Sequence, residues 1–118
     1  MDIMGADKLN ALIDAWHFED AVVRKFTDPE LRTFLTYVHV INKLEEEALQ
    51  NDDSKDAVAL FYSRYYWFDR FKKRYITLYG DNAGLEQQAF KMLEHFSEYY
   101  PGELDWGFIE RIDNGSIY

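Results

Sequence analysis

Hydrophobic residues recur every three or four positions along most of the chain, the spacing that places them on one face of an α-helix. The first such stripe predicts a helix over residues 7–26, and its members are Leu9, Leu12, Ile13, Trp16 and Val23. A second helix is predicted from Thr27-Asp28-Pro29-Glu30 to about Gln50. There the threonine hydroxyl would cap the helix, the proline suits the first turn, and the glutamate would bond back to the cap.

The third predicted helix, residues 55–79, is apolar or aromatic on more than one face. A helix with that pattern usually lies at the centre of a fold, surrounded by other elements. Gly80 follows it and favours a helix end, and four basic residues near that end suit the negative pole of the helix dipole. The pattern therefore predicts a central helix with a cationic end.

A fourth helix is predicted over residues 83–100, where Leu85, Ala89 and Phe96 share a face and Pro101-Gly102 follows. The last segment indicates a short helix over residues 106–112 and a turn at 113–115, packed by Trp106, Phe108 and Ile109. An Asn-Gly hairpin there would have flanks too short for stability. The chain is thus expected to be all-α: residues 1–118 form one domain of about four amphipathic helices with a short C-terminal helix or turn.

Composition supports this class and limits the compartment. A hydrophobic content of 47% with only two prolines and six glycines is too apolar for a disordered chain. The chain has no cysteine, which excludes disulfides and thiolate metal sites. No apolar run approaches the roughly 20 residues that span a bilayer, and the start has no signal-peptide pattern. A cytoplasmic protein without membrane insertion is expected.

The net charge of −9 disfavours direct binding to nucleic acid or anionic lipid. The charge is unevenly distributed: residues 54–80 hold six basic and two acidic residues, whereas the remainder holds seven basic and twenty acidic ones. One interpretation is that the basic third helix pairs with acidic neighbours. The other is that an acidic face is left over to dock on a basic partner protein, including a groove that otherwise holds nucleic acid. That face would comprise Glu45, Glu46, Glu47, Asp52 and Asp53.

The run of aromatic and basic residues from Arg64 to Arg74 has the composition of a single-strand nucleic-acid site, but no nucleic-acid-binding signature accompanies it. Aromatic residues at helical spacing are more often core. Any that remain exposed would form a protein-interaction hot spot, because tyrosine, tryptophan and arginine are enriched there. The residues predicted for it are Tyr62, Tyr66, Trp67 and Arg70.

Motifs for catalysis or cofactor binding are absent from the sequence. There is no Gly-x-Ser-x-Gly elbow, Walker loop or dinucleotide-binding glycine motif. His17, His39 and His95 fall on three predicted helices, but the chain has no Glu-x-x-His pair of the kind found in di-iron bundles. No catalytic residue, metal or cofactor is therefore predicted.

The preferred hypothesis is a non-enzymatic interaction protein, a small acidic regulator or inhibitor that binds a basic protein surface. One alternative is a small enzyme or ligand-binding bundle, with an interhelical pocket lined by tyrosine, tryptophan and inward members of residues 70–74. Another is a self-assembling homo-oligomer, such as a homodimer, in which a second copy covers the apolar third helix.

Overall fold

The computed structural model describes residues 3–117, which form five α-helices and one short 3₁₀ turn. The helices are α1 Ala6–Trp16, α2 Pro29–Gln50, α3 Ser54–Tyr79, α4 Leu85–Tyr99 and α5 Trp106–Asp113. The 3₁₀ turn, Val23–Lys25, lies between α1 and α2. The predicted all-α class is confirmed, and the C-terminal segment is helical. Within residues 3–117, no helix combines the length and the apolar character needed to cross a membrane.

Helix α3 lies at the centre, with α2, α4 and α5 packed on it. Aromatic rings make many of these contacts, because each buries a large apolar area. Phe61 of α3 stacks on Phe96 of α4 with ring centroids 4.1 Å apart. Trp67 meets Tyr37 of α2 edge to face at 4.8 Å. The apolar character of α3 on several faces thus reflects its neighbours on several sides.

The segment before α1 is fixed to α3 by two hydrogen bonds. The Met4 amide donates to Ser63 Oγ at 2.9 Å, and the Trp67 indole N–H donates to the Met4 carbonyl at 2.9 Å. Both α3 groups are on buried residues, so these bonds supply partners that the interior would otherwise lack.

Helix α1 is shorter than predicted, because it ends at Trp16 rather than near Phe26. His17 adopts the left-handed conformation, with φ 50° and ψ 44°, which turns the chain out of the helix. The segment that follows is held against α2 by a 2.7 Å bond between Asp20 and His39. Asp20 also accepts from the Val22 amide at 2.8 Å. Burial tends to raise the pKa of Asp20, but these two partners outweigh it and lower the pKa below its ordinary value.

Helix α2 begins where the sequence predicts, but its cap is Asp28 and not Thr27. The Asp28 carboxylate accepts from the Leu31 amide at 3.0 Å, and Pro29 occupies the first turn. The same carboxylate accepts two bonds from Arg74 of α3, at 3.2 and 2.8 Å. A carboxylate can cap this helix and pair with α3 at once, which a threonine hydroxyl cannot do.

The C-terminal segment packs through Phe108, Ile109 and Ile112, which are buried against α3. The prediction for Trp106 is wrong, since 55% of this residue is exposed. Asp105 caps α5 by accepting from the Phe108 amide at 3.2 Å. Its own amide donates to the buried Tyr62 hydroxyl at 2.6 Å. Helix α5 is therefore positioned by its cap and by a polar contact to the central helix.

Candidate protein-interaction site

The predicted aromatic hot spot lies in the core. Tyr62, Tyr66 and Trp67 are all buried, because α3 is covered by helices on several sides. The half-buried Arg70 lies over the Phe34 ring at 4.8 Å and the Trp67 ring at 5.3 Å. Trp67 and Arg70 contact α2, whereas Tyr62 packs on Phe108 of α5. The prediction that these residues form an exposed surface is wrong.

One residue of the predicted acidic face is buried in the interior. Glu45 is buried between α2 and α3 and accepts from Arg64 Nε through both oxygens, at 2.9 and 3.0 Å. Burial raises the pKa of Glu45, and Arg64 only partly opposes the shift. Its inclusion in an exposed face is wrong. The other members, Glu46, Glu47, Asp52 and Asp53, are exposed at the end of α2 and in the turn to α3.

Asp53 has a local role within that turn. Its side chain caps α3 by accepting from the Asp56 amide at 3.1 Å. Its carboxylate also raises the pKa of Asp56 through a side-chain contact and charge repulsion. Carboxylates at this turn are close enough to interact with one another, but one of them already has a structural function.

The basic residues of α3 pair with acidic neighbours, as the first interpretation of the charge distribution proposed. Arg64 contacts Glu45 at 2.9 Å, Lys72 contacts Glu86 at 3.1 Å, and Arg74 contacts Asp28 at 2.8 Å. Each pair joins α3 to α2, to α4 or to the residue that precedes α2. With the Lys73–Asp69 pair inside α3, these pairs involve four of the six basic residues of segment 54–80, and the excess negative charge lies on the other surfaces.

Helices α4 and α5 each pack on α3, but within the described residues they do not pack closely on each other. A groove remains at this position, and we call it the α4–α5 groove. It encloses about 240 Å³. The residues that line it are Phe90, Leu93, Glu94, Ser97, Glu98 and Trp106.

Two large aromatic side chains line the α4–α5 groove while remaining exposed to solvent. Phe90 is 63% exposed and Trp106 is 55% exposed. Exposed aromatic residues are common singly, but here two line the same groove, with the buried Leu93 beside them. Aromatic residues of this kind supply most of the binding energy in many protein interfaces.

Sequence reasoning missed this pair, although one signal was present. Phe90 lies outside the apolar stripe formed by Leu85, Ala89 and Phe96. A helical projection therefore places this aromatic residue beside the buried face of α4 and not within it. Trp106 gave no comparable signal, because its exposure depends on where a short helix docks.

The charged side chains that line the groove are both carboxylates. Glu94 and Glu98 line it, and neither forms an ion pair within residues 3–117. Carboxylates beside aromatic faces form a favourable environment for lysine and arginine side chains, which bind the carboxylate by charge and the ring by cation–π attraction. The groove therefore has the chemistry to bind a basic chain segment.

A neighbouring cleft of about 330 Å³ shares Phe90 and Leu93 with the groove and contains several titratable groups. The Tyr65 hydroxyl donates to Asp113 at 2.7 Å, and burial together with Asp113 raises the pKa of Tyr65. Burial opposes the charged form of Lys72, but Glu86 and Asp69 outweigh it and raise the lysine pKa. Both groups therefore hold their protons at neutral pH, which suits donors in a structural network better than a general base or a nucleophile.

The histidines do not converge. His17 ends α1, His39 pairs with Asp20, and His95 lies exposed on α4. In the described part of the chain, no group of three or more histidine, aspartate or glutamate side chains is arranged to hold a metal ion.

In comparisons with known proteins, no family model, curated protein or solved structure matches the chain.

Proposed function

We propose that this protein is a non-enzymatic binding module whose α4–α5 groove receives a basic segment of a partner protein. The observation that carries the proposal is the placement of two exposed aromatic residues, Phe90 and Trp106, on one groove with two unpaired carboxylates, Glu94 and Glu98. The aromatic residues would provide affinity and the carboxylates would select for positive charge.

The charge of the whole molecule favours the same partner. A chain with net charge −9 attracts basic surfaces at long range and repels acidic ones, so it would accelerate encounter with a basic segment. If that segment normally contacts nucleic acid, occupation of the groove would block it, and the protein would act as an inhibitor. Inhibition of a nucleic-acid-binding partner is thus one specific form of the proposal.

The direct test is photo-crosslinking in the cell that produces the protein. Gln87 is exposed one turn before Phe90, on the groove side of α4, so p-benzoylphenylalanine at this position would react with an occupant without filling the groove. Crosslinked peptides are identified by mass spectrometry. We expect a partner segment rich in lysine and arginine. The same probe at the exposed Val22, which does not line the groove, controls for random encounter.

Two matched charge variants localise the interaction. The first variant, Glu94→Lys with Glu98→Lys, reverses the charge of the groove. The second, Glu46→Lys with Glu47→Lys, makes the same change in net charge at the predicted acidic face. We expect the first pair to abolish the crosslink and the second pair to leave most of it. Loss in both variants to the same extent, or a crosslinked segment without basic residues, would show that the groove does not select the partner.

A further inference from the structure

A second cleft lies on the other flank of α4, between that helix, the end of α2 and the middle of α3. It encloses about 380 Å³, a volume within the range of small-molecule sites. Its apolar wall includes Leu49, Phe96 and Tyr99. We call it the Arg64 cleft, because Arg64 is the cationic residue of its lining.

Arg64 has unused hydrogen-bonding capacity in this cleft. Its Nε donates to Glu45, and its guanidinium lies 5.2 Å from the Phe61 ring centroid. Within the described residues, no acceptor bonds to Nη1 or Nη2. Arg64 lines the cleft with a side-chain exposure of only 19%, and neither nitrogen is among the fully enclosed polar atoms without partners, so both keep some accessible surface. Donors that are largely removed from bulk water and lack a protein acceptor favour a ligand that supplies one.

The buried Glu45 fixes the orientation of this group. Both of its oxygens contact Nε, at 2.9 and 3.0 Å, which leaves the edge formed by Nη1 and Nη2 unbonded. A planar carboxylate matches that edge through two parallel N–H···O bonds. Glu45 is therefore a positioning residue for Arg64, in addition to its contribution to the fold.

The surroundings favour a ligand that has an apolar body and no more than one negative charge. Phe96 and Tyr99 offer ring surfaces to such a body. Glu45 and Glu46 line the cleft against the single guanidinium of Arg64, so a multiply charged anion such as phosphate would be repelled more strongly than one carboxylate, whose binding must come from the Nη bonds and the apolar contacts. Burial also raises the pKa of Tyr100 above its ordinary value, so its hydroxyl stays protonated as a further donor in the cleft.

We propose that the Arg64 cleft is a second binding site, separate from the α4–α5 groove, which takes a small organic monocarboxylate with an apolar or aromatic body. The carboxylate bonds to Nη1 and Nη2 of Arg64, and the body packs on Phe96 and Tyr99.

Three small probes of similar size test the ligand chemistry: 3-phenylpropionate, 3-phenylpropionamide and 3-phenylpropylamine. Each is titrated into the ¹⁵N-labelled protein, and the amide resonances are followed by NMR. We expect saturable shifts near Arg64 and Tyr99, with the carboxylate bound about tenfold more tightly than the amide, because its bonds are charge-assisted. Equal affinity of the carboxylate and the amide, tighter binding of the amine, or shifts confined to the α4–α5 groove would overturn the proposal.

Two variants assign the contacts. Arg64→Lys keeps a cation near Glu45 but removes the paired Nη donors, so the preference for carboxylate over amide should disappear. Tyr99→Ala changes an exposed wall residue and should weaken both probes by a similar factor while the fold, checked by the NMR spectrum, is unchanged. An unchanged carboxylate preference in Arg64→Lys would contradict the assignment. If that variant does not fold, the probe comparison and Tyr99→Ala still decide the outcome, since undiminished binding in Tyr99→Ala would place the probe elsewhere.

Discussion

Asp69 is the most unusual single residue of the core. It lies in the middle of α3 with only 1% of its surface exposed. Lys72 and Lys73 approach its two oxygens at 3.3 and 2.9 Å, but within the described residues neither oxygen has a hydrogen-bond partner of good geometry. Burial raises the pKa of Asp69, and the two lysines reduce this shift without reversing it. The fold therefore tolerates the ionised form of Asp69 at a cost.

The raised pKa predicts a specific dependence of stability on pH. A carboxyl whose pKa is higher in the folded state stabilises the fold below its unfolded pKa, and this contribution is lost as pH rises through the folded pKa. Asp69→Asn cannot ionise, so the free energy of unfolding of the wild type relative to this variant should fall as pH rises from about 3 to about 7. Each unit of difference between the folded and unfolded pKa of Asp69 changes the free energy of unfolding by about 1.4 kcal/mol. Urea denaturation across this pH range measures the difference.

The matched control for this prediction is Asp81→Asn. Asp81 is exposed and has no ion-pair partner in the described part of the chain. Its variant should follow the wild type at every pH. A wild-type stability that rises relative to Asp69→Asn over the same range would mean that Lys72 and Lys73 outweigh burial.

At the scale of the helices, the sequence predicts the helix boundaries well where the residues that start or stop a helix lie next to the boundary. Pro29, Gly80 and Pro101 bound segments whose helices begin or end within a few residues of the prediction. Helix α1 was predicted too long because the apolar spacing continues to Val23 and no glycine or proline interrupts it. The chain leaves the helix at His17, and the segment that follows is held by the pairing of Asp20 with His39, a contact between positions distant in sequence.

The same distinction explains the candidate sites. The sequence shows that α3 is rich in aromatic residues, but it does not show how many neighbours cover them, so Tyr62, Tyr66 and Trp67 were predicted to be exposed. Glu45 belongs to an acidic run in the sequence, and only the position of Arg64 on the facing helix shows that it is buried. The net charge, on which the proposed preference for a basic partner rests, is a property of composition, whereas the groove could not be predicted from the sequence.

Helix α5 holds Trp106 in the groove, and its stability depends on one cap. The helix has eight residues, too few to be stable alone, so it requires tertiary packing and a satisfied N-terminus. Asp105→Ala should lower the free energy of unfolding by about 1 kcal/mol, while Asp105→Asn, also a good cap, should lower it much less. Urea denaturation measures both, and amide exchange should accelerate over residues 106–113 in the alanine variant. Equal effects of alanine and asparagine would mean that the cap contributes little.

At the scale of the whole molecule, a second copy of the chain is not needed to cover the apolar faces of α3. Its apolar faces pack against α2, α4 and α5 within one chain. Two copies with net charge −9 also repel each other at low ionic strength. Exposed large hydrophobic residues among the described positions, including Phe90, Trp106, Tyr79 and Tyr99, would favour self-association once salt screens this repulsion.

We expect a monomer at low salt and also at high salt, because two copies that met at the groove would bury Glu94 and Glu98 without a cationic partner, a cost that remains when salt screens the net charge. Sedimentation velocity from micromolar to millimolar protein should give a single species of 14.1 kDa in both conditions. Trp106→Ser is the informative control. If the wild type forms a dimer at high salt and this variant does not, a second copy occupies the α4–α5 groove and the proposed basic partner is contradicted. A dimer that persists in the variant would instead place self-association on another surface and leave the groove free for a partner.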